Sequence, residues 1–169
     1  MKITGYHGTS TKNATSILKN GFNASTGIKQ WLGDGVYFFG TLKGYSDGIE
    51  EARHWALYVK KEKEISVLSA EIESNDFLDL CNCVEHRKLY DKVLKIARAL
   101  HSASKYKDED FNDWHVFIRI KENNSIDFIR AFVNAAKDTG HIVRRPQIQI
   151  CVINKSCIKN MQLVCEERS

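Results

Sequence analysis

Strand-forming runs stand near the start, the middle and the end of this chain, and amphipathic helical stretches separate them in no repeating order. After the run at Tyr37 the clearest is residues 148–153, where Ile148, Ile150 and Val152 alternate on one face with the period of a half-buried strand. Val36-Tyr37-Phe38-Phe39 is dense in β-formers and follows the flexible Gly33-Asp34-Gly35. Weaker strand signals lie at 2–7, 65–72, 126–132 and 161–165. Between them, Ala14, Ile17 and Leu18 share a helical face, bounded by Ser10 as an available N-cap and Gly21 as a C-cap glycine. Ala52, Trp55, Ala56 and Val59 mark a second helix from 50 to about 61. Leu89, Val93, Ile96, Ala97 and Leu100 mark a third of about four turns, ended by the polar stretch 102–110. Residues 113–121 fit helix or strand equally. The single proline, Pro146, stands at the entrance of the strand at Gln147, where a missing N–H is tolerated. This mixed order lacks the βαβ regularity of a Rossmann chain and predicts an α+β fold.

A chain of 169 residues is the size of one domain, 1–169, and 43% hydrophobic with 27% charged residues is a globular balance. The net charge of +4 is too mild, and its basic residues too mixed with acids, for a phosphate-tracking stripe. Such mixing is visible at 60–64, 87–95 and 105–110. Five cysteines without a CxxC pair predict reduced thiols rather than a disulfide framework. Cys81-Asn82-Cys83 with His86 nearby lacks a second ligand pair at a zinc spacing, so no metal is expected. The N-terminus has no apolar signal core and no segment reaches the ~20 apolar residues of a membrane span. A cytoplasmic protein with no membrane partner is the expectation.

Three segments far apart in sequence carry the chemistry. In Tyr6-His7-Gly8-Thr9 a histidine leaves a strand directly into a glycine, which lets backbone groups approach a planar ligand. Trp31-Leu32-Gly33-Asp34-Gly35-Val36-Tyr37-Phe38-Phe39, followed thirteen residues beyond Phe39 by Ala52-Arg53-His54-Trp55, presents aromatic faces on which a flat ring can stack. The strand after Arg145-Pro146 places Gln147 and Gln149 on one face, opposite Ile148, Ile150 and Val152, as residues lining a cleft would be.

In order and spacing the three segments resemble the signature of the ADP-ribosyltransferase superfamily, in its poly(ADP-ribose)-polymerase-like and diphtheria-toxin-like branch. That branch contributes His, Tyr and Glu from three strand motifs. The resemblance implies two small antiparallel sheets around a cleft with flanking helices, and NAD as co-substrate. It further implies that His7 hydrogen-bonds the adenosine-side ribose, that Gly8 backbone groups hold the nicotinamide amide and that Thr9 shapes the turn. Tyr37 would stack on the nicotinamide, and Trp55, three residues after Ala52, would close the other side of the ring. Gln147 would line the NAD cleft, and Gln149 falls where the family places its catalytic glutamate, which orients a ribose hydroxyl and stabilises the oxocarbenium-like charge. His7, Tyr37 and Gln149 are thus the implied catalytic set.

Gln149 departs from the family pattern, because an amide binds the hydroxyl but brings no negative charge. Losing one preorganised electrostatic contact costs roughly 3 kcal/mol, about a hundredfold in rate. A natural enzyme working with glutamine, another acid such as Glu71 or Glu73, and a Glu→Gln replacement are all open explanations. The leading expectation is mono-ADP-ribosyl transfer from NAD to a protein or nucleic-acid acceptor. The short chain resembles bacterial or phage toxin and defence effectors of the superfamily, with an antitoxin or immunity partner. The alternatives are a non-catalytic NAD or ADP-ribose-binding module and an NAD-dependent RNA 2′-phosphotransferase. The latter needs arginines beside the histidine motif, where Tyr6 and Thr9 stand here, Arg144 and Arg145 lying elsewhere.

Overall fold

The computed structural model describes residues 1–104, 110–134 and 146–168. Strand β1 (Lys2–Ser10) runs into helix α1 (Thr11–Asn20), and the Ser10 hydroxyl accepts from the Asn13 N–H at 3.3 Å to cap it. Gly21, at φ +81°, ends α1 by donating its N–H to the Ile17 carbonyl at 2.8 Å. Then follow β2 (Val36–Gly40) and α2 (Ile49–His54), which continues as a π-helical turn (Trp55–Val59). The chain goes on through β3 (Glu64–Glu73), β4 (Phe77–Asp79), α3 (Val84–Ser102), α4 (Asp113–Asn123), β5 (Phe128–Asn134), β6 (Pro146–Val152) and β7 (Ile158–Arg168). Residues 113–121, ambiguous in sequence, fall in α4. Val116, Phe117 and Ile120 are buried at helical spacing, and Asn112 caps its first turn by accepting from the Trp114 N–H at 3.1 Å. Of the polar stretch 102–110, residues 105–109 lie outside the described residues, as do Arg144 and Arg145.

The α+β class is as expected, but the sheet is not. In place of two small antiparallel sheets there is one seven-stranded mixed sheet, in the order β4-β5-β6-β2-β1-β3-β7, with β4 parallel to β5. The correction has a local cause. The halves β4-β5-β6-β2 and β1-β3-β7 are joined through β1 and β2 at two residue pairs, Gly5↔Gly40 and Tyr6↔Phe39. By contrast, β1 pairs with β3 along its whole length, from Lys2↔Glu73 to Ser10↔Ile65. The last strand is likewise longer than the expected 161–165, because its register against β3 rather than its own apolar pattern sets its length.

Alternation along the strands sorts side chains onto two faces. Phe38, Leu68, Ile72, Phe128, Ile148 and Ile150 form a core with Ala14 of α1 and with Phe22 just beyond its end. On the opposite face Ile129 and Cys151 pack with Ala97 of α3 and with Val116, Phe117 and Ile120 of α4. Also on that face, Phe39 and Val67 receive Ala52 of α2. The parallel β4–β5 edge carries an ion pair between buried Asp79 and partly buried Arg130, Arg130 Nη1 to Asp79 Oδ2 at 3.3 Å, while Asp79 Oδ1 accepts from the Cys81 N–H at 2.9 Å. All five cysteines are free thiols. Among the described residues no helix is long and apolar enough to cross a membrane.

Candidate functional site

Beyond Tyr6↔Phe39, β1 and β2 part. The imidazole of His7 takes the place of the next rung: its Nδ1 lies 2.8 Å from the carbonyl oxygen of Tyr37. A carbonyl can only accept, so Nδ1 carries the proton and Nε2 is left as an acceptor. Burial among Phe22 and Phe38, whose rings meet the imidazole edge-on at 5.1 and 5.8 Å, lowers the His7 pKa below its ordinary value. The hydrogen bond to Tyr37 opposes this shift, and Lys60 adds to it. His7 is therefore a neutral acceptor near pH 7.

Tyr37 is fixed through its hydroxyl, which donates to the Gly33 carbonyl at 2.7 Å and accepts from the Leu32 N–H at 2.9 Å. Burial, reinforced by Cys151, pushes its phenol far above the ordinary value. The hydroxyl therefore has no acid–base role, and what Tyr37 offers a ligand is a ring face. The loop that clamps it can close down because residue 35 is glycine: a Cβ there would stand 2.5 Å from Cys151 Sγ and 2.6 Å from the Val152 carbonyl oxygen.

Gly8 has a packing reason as well as the functional one suggested by sequence. A Cβ at Gly8 would lie 1.8 Å from the carbonyl oxygen of Ala52, so the backbones of β1 and α2 touch. Ala52, expected among the ligand-binding residues, is 0% exposed and stands behind the residues that line the cleft. Its small side chain lets α2 approach and carries Trp55 into position. Trp55 opens the π-helical turn, in which the Lys60 N–H donates to the Trp55 carbonyl at 2.9 Å, five residues back. The indole packs 6.3 Å from the Phe39 ring, with the Lys60 ammonium 5.7 Å from its centroid.

The result is one cleft of about 620 Å³ at the parting of β1 and β2, lined among others by His7, Gly8, Thr9, Tyr37, Trp55 and Gln149. Gln147 also faces it. Gln149 is opposite Phe39 on β2 and Ala131 on β5, so it stands in the middle of the sheet. The two acids considered as substitutes for a glutamate at this point are elsewhere. Glu71 and Glu73 stand opposite Thr4 and Lys2 at the far end of β3, and bind Lys2 at 3.1 Å and Lys159 at 3.5 Å.

Sequence reasoning missed several lining residues. Lys29, Asn13 and Ser16 form part of the wall with Trp31, 46% exposed, which opened the Tyr37 segment but was given no role there. Two carboxylates, Glu51 and Glu62, also face the cleft. Glu51 sits in Glu50-Glu51-Ala52-Arg53, where acids at a helix start are ordinary, so nothing in the pattern distinguished it. Among the described residues no group of three His, Cys, Asp or Glu side chains is arranged to hold a metal ion.

No family model matches the chain. The chain is similar to the uncharacterized protein MJ0359 of Methanocaldococcus jannaschii, 25% identical over 197 aligned residues that take in 96% of this chain and 87% of the relative. The likeness thus covers nearly every element around the cleft, and the relative's name carries no activity.

Proposed function

We propose that this protein is an NAD-dependent mono-ADP-ribosyltransferase with an ADP-ribosyltransferase-type fold. The observation that carries the reading is the convergence of His7, Tyr37, Trp55 and Gln149 on one cleft at the gap in the sheet. Its volume of about 620 Å³ suits a ligand of dinucleotide class. The donor and acceptor set fits NAD as well: Nε2 of neutral His7 accepts from a hydroxyl of the adenosine-side ribose, and the Tyr37 and Trp55 ring faces bracket a flat cationic ring. The backbone of Gly8, which lines the cleft, meets the carboxamide. Gln149 holds a hydroxyl of the nicotinamide-side ribose.

Such a reaction needs positioning and charge stabilisation at the anomeric carbon rather than a protein nucleophile. Buried thiols are poor nucleophiles, and burial pushes Cys151 up to about 12 and Cys81 up to about 11. The acceptor is a macromolecule, protein or nucleic acid. Incubation with labelled NAD and a cell lysate, followed by protease or nuclease digestion, separates the two: label surviving protease but not nuclease points to nucleic acid. In the purified protein, nicotinamide release is the direct readout, and Gln149→Glu is expected to change its rate. An unchanged rate would remove Gln149 from the reacting end. A second reading, a non-catalytic NAD-binding module, is favoured by the uncharged Gln149. Calorimetric NAD binding without nicotinamide release is its signature.

A further inference from the structure

One atom in the cleft is left without a partner by the fold. Oε2 of Glu51 is shielded from solvent and hydrogen-bonded to nothing, the one such side-chain oxygen or nitrogen among the described residues. Glu51 reaches the cleft from the first turn of α2, next to Ala52, whose carbonyl abuts Gly8. Neither lysine on the cleft wall, Lys29 or Lys60, bonds that oxygen; the Lys60 ammonium lies over the Trp55 ring, and neighbouring Arg53 binds Glu167 and, at 3.3 Å, Glu50. A solvent-shielded carboxylate oxygen without a donor carries a desolvation cost, and on a cleft wall it is a ready contact for a ligand's hydroxyl or developing positive charge.

We propose that Glu51 contacts the nicotinamide-riboside part of NAD and supplies the carboxylate that Gln149 does not. This inference rests on the reading of the cleft given above. In the step, the bond between ribose C1′ and nicotinamide N1 breaks, its electron pair passes to N1, and nicotinamide leaves neutral. Positive charge develops over C1′ and the ring oxygen, and the Glu51 carboxylate faces it. The acceptor's nucleophilic atom then bonds to C1′, and its proton passes to solvent. Orientation of the ribose by Gln149 on β6 and charge from Glu51 on α2 are two tasks carried by two elements.

The test compares wild type, Glu51→Gln and Glu51→Ala by nicotinamide release at saturating NAD, NAD affinity by calorimetry, and thermal midpoint. Glu51→Gln is expected to lower kcat about a hundredfold while NAD affinity stays within about threefold. The Glu51→Ala midpoint is expected at or above that of wild type, since an unpaired buried oxygen is removed. If wild type splits NAD and Glu51→Gln does so within about threefold of its rate, this inference fails and the reading of the cleft stands. Lower midpoints in both variants alongside the lost rate would assign Glu51 a structural role and overturn it too. If wild type neither binds nor splits NAD, the reading of the cleft falls, and this inference with it.

Discussion

Substituting Gly8 by alanine tests the fold and the cleft together. The added methyl would stand 1.8 Å from the carbonyl oxygen and 2.5 Å from the carbonyl carbon of Ala52. Non-bonded carbon contacts settle near 3.5 Å, so α2 must retreat by more than about 1 Å. Ala52 is 0% exposed and packs with Phe39 and Val67, so the retreat opens a packed layer rather than bending a free loop. Overpacking costs about 1–3 kcal/mol, and an immovable backbone obstacle places this case near about 3. In a chain of this size each kcal/mol moves the thermal midpoint by roughly 2–4 °C, which predicts a drop of about 6–12 °C. Urea unfolding should show a lower midpoint concentration with an unchanged slope. Because Trp55 follows α2, NAD affinity should fall as well, by about tenfold for each 1.4 kcal/mol of lost contact. A thermal midpoint within about 2 °C of wild type would refute the close β1–α2 contact.

The remaining expectations concern charge. The folded-state pKa of His7 lies below its unfolded value of 6.5. The unfolded chain therefore binds the extra proton first, and the His7 contribution to stability is complete above 6.5 and is lost as pH falls from there through the folded value. The slope from this one group reaches at most about 1.4 kcal/mol per pH unit. Chemical denaturation across that window should be flatter for His7→Asn than for wild type; parallel curves would contradict the neutral imidazole. Asp79→Ala leaves the largely covered Arg130 without its carboxylate and the Cys81 N–H without its acceptor, and is expected to cost about 2–4 kcal/mol in urea unfolding. A cost below about 1 kcal/mol would mean that the pair does not hold the β4–β5 edge.

How far the sequence foretold this molecule depends on the range over which each feature is decided. The α1 helix was legible from Ser10, Gly21 and the apolar spacing between them, because caps and periodicity act within one element. The strand at Val36–Gly40 and the alternation of Ile148, Ile150 and Val152 were legible for the same reason. Three-residue β4 was invisible, since it is defined by parallel pairing with β5, far along the chain. The join of the two sheet halves was missed because it depends on Gly5 and Tyr6 meeting Phe39 and Gly40, a register no local pattern encodes. Among the residues that line the cleft, His7, Tyr37, Trp55 and Gln149 could be named through the resemblance of their motifs to a known family. The burial of Ala52 behind Gly8 could not be read from the motif that contains it. Glu51 could not be singled out, because an acid at a helix start is common and only the surrounding packing deprives it of a partner.

The two residue pairs that join the halves of the sheet have a mechanical consequence. A molecule seated in the gap touches His7 on one half and Tyr37 and Gln149 on the other, and so acts as a clamp across a seam that main-chain bonding barely closes. The slowing of amide exchange at Gly5, Tyr6, Phe39 and Gly40 on ligand addition should then exceed that in the long β1–β3 ladder, where occupancy adds no new cross-link.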